Sequence, residues 1–306
     1  MTGAGLGIDA GGTLTKLVAV TRDGKVLGQV SFPTDSGDGP RGFVKRLGTE
    51  VRGLERKLGK KMSAAGMAVA GDVDPAAGRI RRWANMESFE GFALRDSVRR
   101  VLRRPVQLHN DANMAAWGAY ALELGRKQKN VAAVTLGTGV GGGAVVDGKL
   151  LTGATGSALE FGHTRVSSPR GRRCSCGGVG HLEAYAGSYG ILGIYRSLSK
   201  KKLESPKAVA DAAARGDRFA KETWRRVGEA LAIGAANLVY ILNPETIVFT
   251  GGVSDAGELF LDPIRKAFEK ESFRGPFGCV RLRIARRKGL GALGAAVYAL
   301  DASRNS

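Results

Sequence analysis

The spacing of apolar and polar positions predicts alternating strands and helices in the first third of the chain. Between Phe43 and Leu58, apolar residues recur every three or four positions with Lys and Arg between them, which indicates an amphipathic helix. An Ala-rich helix is predicted from Ala112 to Leu124. Four short apolar runs, each ended by glycine or polar residues, have the length of strands: 6–9, 14–20, 66–70 and 106–109.

The same pattern returns in the second half of the chain. A strand, a glycine turn and a strand span 131–146, as they do between residues 6 and 20. Further elements then alternate: a nearly all-apolar helix at 230–242, a strand at 246–250 and an Ala-rich helix at 290–300. Because the strand–glycine turn–strand unit opens each half, we predict two related α/β domains that face each other across a cleft.

The domain boundaries are predicted from this duplication. A chain of 306 residues suits two domains better than one small core. We place an N-terminal α/β domain at residues 1–112 and a C-terminal α/β domain at 113–289. The last helix, 290–306, is assigned to the first domain because its apolar face needs a partner.

Composition and charge add two features. Glycine accounts for 46 of 306 residues, about twice its usual share, and the excess is clustered as in tight turns or phosphate-binding loops. Forty-seven Lys and Arg residues against 28 Asp and Glu give a net charge of +19, which attracts polyanions. The basic residues lie in scattered short runs, so a solvated basic surface is the favoured interpretation.

The sequence is typical of a cytoplasmic protein. The first residues lack a charged region followed by an apolar stretch, so no signal peptide is expected. The most apolar segment, 230–242, is shorter than the ~20 residues that a membrane span needs. No membrane partner is therefore expected.

The first glycine turn follows Asp9, which ends a predicted strand. Gly11 and Gly12 allow a close approach of the backbone to a phosphate, Thr13 adds a hydroxyl donor and Lys16 a cation. A carboxylate such as Asp9 can hold hydrated Mg²⁺. A plain hairpin also uses Gly-Gly turns, and the Walker spacing is absent.

Two further glycine motifs lie between or after predicted strands. Gly137-Thr138-Gly139 belongs to the glycine-rich stretch 136–143, where so many glycines cost more backbone entropy than a plain turn requires. Gly251-Gly252 follows the strand at 246–250 and is a candidate nucleoside-binding turn.

Asp111 lies between a predicted strand and a predicted helix. Its carboxylate is suited to serve either as the cap of that helix or as a general base. The preceding residue, Asn110, both donates and accepts hydrogen bonds and therefore suits sugar hydroxyls.

A cluster of Cys and His residues indicates a structural Zn²⁺ site with four protein ligands. The chain has three cysteines, two of them in a C-x-C pair, and two of its three histidines lie nearby. The alternative is a free C-x-C pair in an Arg-rich loop. The candidate ligands are His163, Cys174, Cys176 and His181.

Taken in order, these motifs resemble those of the ROK family (repressors, open reading frames and sugar kinases), and the resemblance covers nearly the whole chain. It implies a two-domain actin-like/ribonuclease-H-like ATPase fold, with 9–16 and 136–143 as phosphate loops and 250–254 as the adenosine motif. It also implies that Asp111 is the catalytic base. The sugar-binding residues that it implies are Gly71, Asn110, Asp111, Glu160, His163 and Glu183.

The sequence departs from the family pattern at two positions. His181 stands where the zinc motif usually has a third cysteine, and histidine is also a zinc ligand. Leu159, just before Glu160, occupies a position that is usually small, which we expect to alter the sugar pocket.

The function that the resemblance implies is ATP-dependent phosphorylation of a hexose, with Mg²⁺ as cofactor, glucose as the favoured acceptor and a homodimer as the usual assembly. Acceptors left open are N-acetylglucosamine, N-acetylmannosamine, mannose and fructose, and polyphosphate is an alternative donor. A non-catalytic sugar-sensing regulator is a further alternative. No DNA-binding domain is expected, because the first phosphate loop begins at Asp9.

Overall fold

The computed structural model describes residues 3–34, 37–84, 86–167 and 170–304. Contacts divide the chain into two compact units. Unit 1 comprises the chain through Lys127, the segment Leu150–Ala158 and the C-terminal part from Gly289. Unit 2 comprises Gln128–Lys149 and Leu159–Lys288. The predicted boundary near residue 112 falls within unit 1.

Strands and helices alternate along the described residues. The strands are β1 Gly5–Ala10, β2 Leu14–Val20, β3 Val26–Pro33, β4 Ala64–Val69, β5 Asp72–Asp74, β6 Arg79–Arg82, β7 Val106–Asn110, β8 Val131–Leu136, β9 Val140–Val146, β10 Lys149–Leu150, β11 Thr246–Thr250 and β12 Arg281–Ile284. The α-helices are α1 Gly39–Leu58, α2 Leu94–Leu102, α3 Asp111–Gly118, α4 Glu183–Ala186, α5 Ser188–Ser199, α6 Pro206–Ala214, α7 Arg218–Leu242, α8 Glu258–Phe268, α9 Arg274–Cys279 and α10 Leu290–Ala302.

Unit 1 is built on a sheet with the strand order β3-β2-β1-β4-β7. The first three strands form an antiparallel meander, whereas β1, β4 and β7 run parallel. Leu6 and Ile8 of β1 point into a core that also contains Phe43 of α1 and Val98 of α2. The two faces of a strand alternate, so the glycines of β1 face the other side of the sheet.

Helix α10 packs on that other side at unusually short range. A Cβ at Gly7 of β1 would lie 1.9 Å from the carbonyl oxygen of Ala292, and one at Gly66 of β4 would lie 2.0 Å from that of Ala295. Gly294 of α10 approaches α3 in the same way, since its Cβ would lie 1.9 Å from the carbonyl oxygen of Met114. Glycine at these positions lets the backbones touch, which fixes α3 and α10 on the sheet.

Unit 2 repeats the same plan. Its sheet has the order β10-β9-β8-β11-β12, with β8 and β9 antiparallel and β8, β11 and β12 parallel. Apolar residues of the sheet, such as Val134 and Phe249, share a core with Trp224 of α7 and Phe260 of α8.

The repeated strand order confirms the predicted duplication and the α/β class. In both sheets the strand–glycine turn–strand pair leads into two further parallel strands. Among the described residues, no helix is both long enough and apolar enough to cross a bilayer.

Candidate active site and metal cluster

The first glycine turn joins β1 to β2 directly after Asp9. Asp9 lies opposite Lys16 in the antiparallel ladder, and burial raises the pKa of its carboxyl while Lys16 partly offsets the rise. A Cβ at Gly12 would meet nothing within 4 Å. The packing of the protein does not require glycine there, and the open space suits the approach of a ligand. Thr13 and Lys16 are exposed beside it.

The junction between β7 and α3 carries Asn110 and Asp111. The Asn110 side chain caps α3, since its Oδ1 accepts hydrogen bonds from the backbone N–H groups of Ala112 at 2.8 Å and Asn113 at 3.3 Å. Asp111 is the first helical residue, and its Oδ1 accepts from the N–H of Ala112 at 2.9 Å. The capping role considered for Asp111 is therefore filled by Asn110. The Asp111 carboxylate lies at the positive end of the dipole of α3.

The parallel strands of unit 1 bring these residues to one edge of the sheet. Val69 of β4 lies beside both Ala10 of β1 and Asn110 of β7 in the register. In such sheets ligands bind beyond the carboxyl ends of the strands. The position that a Cβ at Gly291 would occupy lies 3.9 Å from Asp9 Oδ2 and 3.6 Å from the carbonyl oxygen of Asp111. Unit 1 thus brings together the first glycine turn, Gly71, Asn110 and Asp111.

His109 precedes this pair and belongs to the interior. Its ring contacts that of Tyr298 edge to face, with centroids 4.7 Å apart, and burial lowers the pKa of His109 to about 4. His109 is therefore neutral near pH 7, and its contact with Tyr298 ties the end of β7 to α10.

The second glycine turn, between β8 and β9, is tied to residues far along the chain. Glu183 Oε2 accepts a hydrogen bond from the N–H of Val140 at 3.2 Å, and a Cβ at Gly139 would lie 2.3 Å from that oxygen. Ser188 donates from its hydroxyl to the carbonyl oxygen of Gly137 at 2.7 Å. Thr138, between the two glycines, is exposed. No sequence pattern identified Ser188, because its role depends on a contact across 51 positions.

The third glycine turn follows β11 and lies next to the second. Thr250 pairs with Thr135 of β8, so the two turns leave adjacent parallel strands at the same edge. Gly251 has a φ of 98°, and a Cβ there would lie 2.3 Å from the carbonyl oxygen of Leu136. A Cβ at Gly252 would meet nothing within 4 Å, which leaves its backbone open to a ligand.

Glu160 and His163 lie on a short 3₁₀ turn that packs on β9. A Cβ at Gly162 would lie 2.0 Å from the carbonyl oxygen of Val140, so this turn requires glycine at its centre. Leu159, just before it, has a φ of 64°, and its side chain packs against the core of unit 2 and against Gly142. The Glu160 and His163 side chains are exposed.

The predicted zinc ligands come together around a hairpin in unit 2. Cys174 donates its N–H to the carbonyl oxygen of Gly178 at 2.8 Å, which closes the turn that carries both cysteines. The ligand atoms of the four residues lie within 4.8 Å of one another. His163 Nδ1 is 3.8 Å from Cys174 Sγ, and Cys176 Sγ is 3.2 Å from His181 Nδ1.

This donor set fits a tetrahedral zinc ion. Zn–S bonds of about 2.3 Å and Zn–N bonds of about 2.0 Å place neighbouring ligand atoms about 3.3–3.8 Å apart. The two Cys–His distances, 3.8 and 3.2 Å, lie at or near the limits of that range. Glu183 follows the hairpin, and its Oε1 accepts from Ser175 Oγ at 2.7 Å and from the Tyr189 hydroxyl at 3.4 Å. The cluster therefore adjoins two of the residues expected to bind sugar.

The sequence model of the ROK family matches residues 5–302. The chain belongs to the ROK family. The resemblance stated from the sequence motifs is confirmed, and with it the two-domain ATPase fold.

Individual ROK proteins match over almost the whole chain. It is 35% identical to a glucokinase of Thermotoga maritima, over 95% of each chain. The crystal structure of a ROK hexokinase from Thermus thermophilus has a TM-score of 0.84 at 29% identity, covering 99% of this chain and 100% of that one. The structure of a Streptomyces griseus ROK glucokinase, in complex with glucose and AMPPNP, has a TM-score of 0.82 at 32% identity, covering 98% of this chain and 100% of that one.

Proposed function

We propose that this ROK protein is an ATP-dependent hexose kinase that phosphorylates the primary hydroxyl of glucose, with Asp111 as the general base. The observation that carries the proposal is the position of Asp111, at the start of α3 and on the sheet edge where the Asp9 turn also ends. The similarity to glucokinases over nearly the full length supports glucose as the acceptor.

A carboxylate such as that of Asp111 can accept a proton from a hydroxyl. It lies at the N-terminus of α3, and its Oδ1 accepts a hydrogen bond from the N–H of Ala112. In the proposed reaction it accepts the proton of the sugar hydroxyl as that oxygen forms a bond to the γ-phosphorus and the bond to the ADP oxygen breaks. The transition state is loose, so most of the catalysis comes from positioning and charge stabilisation.

The three glycine turns are proposed to bind the nucleotide. Gly12 and Gly137 have open space at the Cβ position, so their backbones can approach phosphate oxygens, and Thr13, Thr138 and Lys16 add donors. Gly251 and Gly252 are assigned to the nucleoside. Asp9 would hold Mg²⁺ through water, and the ion would neutralise charge on the phosphates.

The sugar-binding set is proposed to comprise Gly71, Asn110, Asp111, Glu160, His163 and Glu183. Asn110 and the Gly71 turn stand beside Asp111 in unit 1. Glu160, His163 and Glu183 are held in unit 2 by the 3₁₀ turn and the Cys–His hairpin. Carboxylates and imidazoles are strong hydrogen-bonding groups for hydroxyls, and several of them fix the orientation of a hexose.

We propose that the Cys–His cluster binds one structural Zn²⁺. His163, Cys174, Cys176 and His181 would fill all four positions, so the ion would hold the hairpin closed rather than act on substrate. His163 would then be fixed at one ring nitrogen while its other nitrogen stays available to the sugar.

A coupled phosphorylation assay tests the proposed function. Purified protein with Mg-ATP is offered glucose, mannose, fructose, N-acetylglucosamine and N-acetylmannosamine, and parallel wells contain polyphosphate in place of ATP. We expect the highest kcat/KM with glucose and ATP. Absence of turnover with every sugar, in folded and zinc-supplemented protein, would contradict the proposal and favour a sugar-sensing regulator.

Two further proposals concern the setting of the reaction. We propose that the protein forms a homodimer. We also propose that it is located in the cytoplasm, which agrees with the use of ATP as the phosphoryl donor. Analytical ultracentrifugation over a range of concentrations tests the dimer, and a monomer at all concentrations would contradict it. Cell fractionation tests the location.

A further inference from the structure

The segment Leu150–Ala158 belongs to unit 1 although unit 2 supplies the sequence on both sides of it. It leads directly into Leu159 and Glu160. Only Leu150 of this segment belongs to a strand, as the second residue of β10, and side chains elsewhere in unit 1 make hydrogen bonds to the residues that follow. Those side chains therefore bear on the position of Glu160.

Arg81 of β6 makes two hydrogen bonds to this segment. Its guanidinium donates to the carbonyl oxygen of Thr155 and to Ser157 Oγ, the latter at 3.4 Å. The same group donates to the carbonyl oxygen of Val73 at 2.9 Å and pairs with Asp72 at 3.0 Å. A guanidinium has five N–H groups spread over a planar fork and can bridge these acceptors, whereas an ammonium group has three on a single nitrogen, too few for all of them.

Two other contacts hold the same segment. Ser157 Oγ donates to Asp72 Oδ1 at 2.8 Å, and Asn113 Nδ2, two residues after Asp111, donates to the carbonyl oxygen of Gly156 at 3.3 Å. Gly156 has a φ of 90°, and a Cβ there would lie 2.3 Å from Pro75 Cδ. The segment is thus held between the β5–β6 hairpin and the first turn of α3.

The chain leaves this anchored segment through a strained residue. Leu159 has a φ of 64°, a left-handed conformation that a residue with a Cβ rarely adopts. Such a conformation persists only where the surroundings hold it, and here its side chain packs against the core of unit 2. Arg81 therefore holds the residues just before Leu159, and the Leu159 side chain is packed, so both bear on the backbone that leads into Glu160.

We propose that Arg81 is a positioning residue for the sugar, which acts by fixing residues 155–158 and through them the carboxylate of Glu160. This inference rests on the proposed function, since it takes Glu160 as a sugar ligand. Arg81 is not proposed to contact substrate or nucleotide. Its loss should therefore change the binding of sugar and leave the binding of ATP unchanged.

The test compares Arg81→Gln with Arg82→Gln, a matched control on the same strand. Arg82 is exposed and makes no side-chain hydrogen bond within the described part of the chain. For Arg81→Gln we expect the KM for glucose to rise on the order of tenfold, while the KM for ATP changes less than about twofold. Arg81→Lys should behave like Arg81→Gln, and Ser157→Ala should show a smaller rise in the same direction. Arg82→Gln should match the wild type.

Hydrogen exchange provides a readout that does not depend on activity. Amides in peptides covering 155–160 should exchange on the order of tenfold faster in Arg81→Gln than in Arg82→Gln. Equal effects of the two substitutions, or an equal rise in both KM values, would overturn the proposal. If the wild type phosphorylates no hexose, the proposed function fails, and the exchange comparison still decides whether Arg81 fixes the residues before Glu160.

Discussion

The side-chain nitrogen of Asn110 donates a hydrogen bond to the carbonyl oxygen of Gly71, 3.1 Å away. The oxygen of the same amide caps α3. One side chain therefore ties the turn after β4 to the start of the helix that carries Asp111. These are the elements of unit 1 that we propose to bind the sugar.

Substitution of Asn110 should affect both stability and sugar binding. Asn110→Ala removes a helix cap, at a cost of about 1–2 kcal/mol in the free energy of unfolding, and releases Gly71. Urea unfolding measures the first effect and the KM for glucose the second. Ser205→Ala removes the cap of α6 and is the control, because it should lower stability similarly and leave that KM unchanged. An unaltered KM in Asn110→Ala would contradict a role in sugar binding.

The close contact between β1 and α10 should make Gly7 intolerant of any side chain. Gly7→Ala places a Cβ 1.9 Å from the carbonyl oxygen of Ala292, and the shift of α10 should cost about 3 kcal/mol or more. Gly53→Ala is the matched control, because a Cβ in that part of α1 meets nothing within 4 Å. It should instead stabilise the protein by about 0.5–1 kcal/mol. Thermal unfolding of the two variants tests both the expected loss of stability in Gly7→Ala and the expected gain in Gly53→Ala.

The apolar pattern predicted the elements that bury either a run of successive residues or one regular face. The strands β1, β2, β8, β9 and β11 and the helices α1 and α10 occur where expected, within a few residues. The helix predicted at 230–242 begins at Arg218, after the capping residue Asp217. The apolar pattern does not predict its first half, because the outer face there is charged, with pairs such as Arg225 and Glu222. The edge strand β3, largely exposed, was not predicted because it shows no apolar run.

The sequence predicts the motifs of the candidate site, but it does not predict the contacts between their residues. Glycine clusters and the Cys–His spacing identified its parts, because close backbone approach and metal binding each demand particular residue types. The left-handed conformation of Leu159 and the tie of Ser188 to Gly137 arise from packing between distant segments. No local spacing in the sequence reports such contacts.

The free energy of unfolding should depend on pH through the titration of His109. Burial lowers the pKa of His109 from 6.5 to about 4. Between these two pH values the imidazole is protonated in the unfolded state and neutral in the folded state. Stability is therefore lost as the pH falls from 6.5 towards 4. His109→Phe keeps the edge-to-face contact with Tyr298 and removes the titration. It should abolish about 2–3 kcal/mol of the acid-side loss at pH 4. Identical pH profiles for the two proteins, from urea unfolding, would contradict this prediction.

Zinc should be present at one ion per chain and should support the sugar-binding residues. We expect Cys174→Ser to lose the metal and to lower the unfolding temperature, whereas His181→Cys should retain it, since both donors ligate zinc. Elemental analysis and thermal unfolding provide the readouts. Cys279→Ser, in an exposed cysteine outside the cluster, is the control and should keep both properties. Loss of zinc from that control, or its retention in Cys174→Ser, would contradict the assigned ligands.

The most direct test of the account is the turnover of Asp111→Asn with glucose and Mg-ATP. The substitution keeps the shape of the side chain and an oxygen for the N–H of Ala112, and it removes the base. We predict that kcat falls by ~10²-fold or more, with a modest change in the KM for glucose, because the proton acceptor acts in the transition state. Near-wild-type turnover in Asp111→Asn would contradict the assignment of Asp111 as the general base.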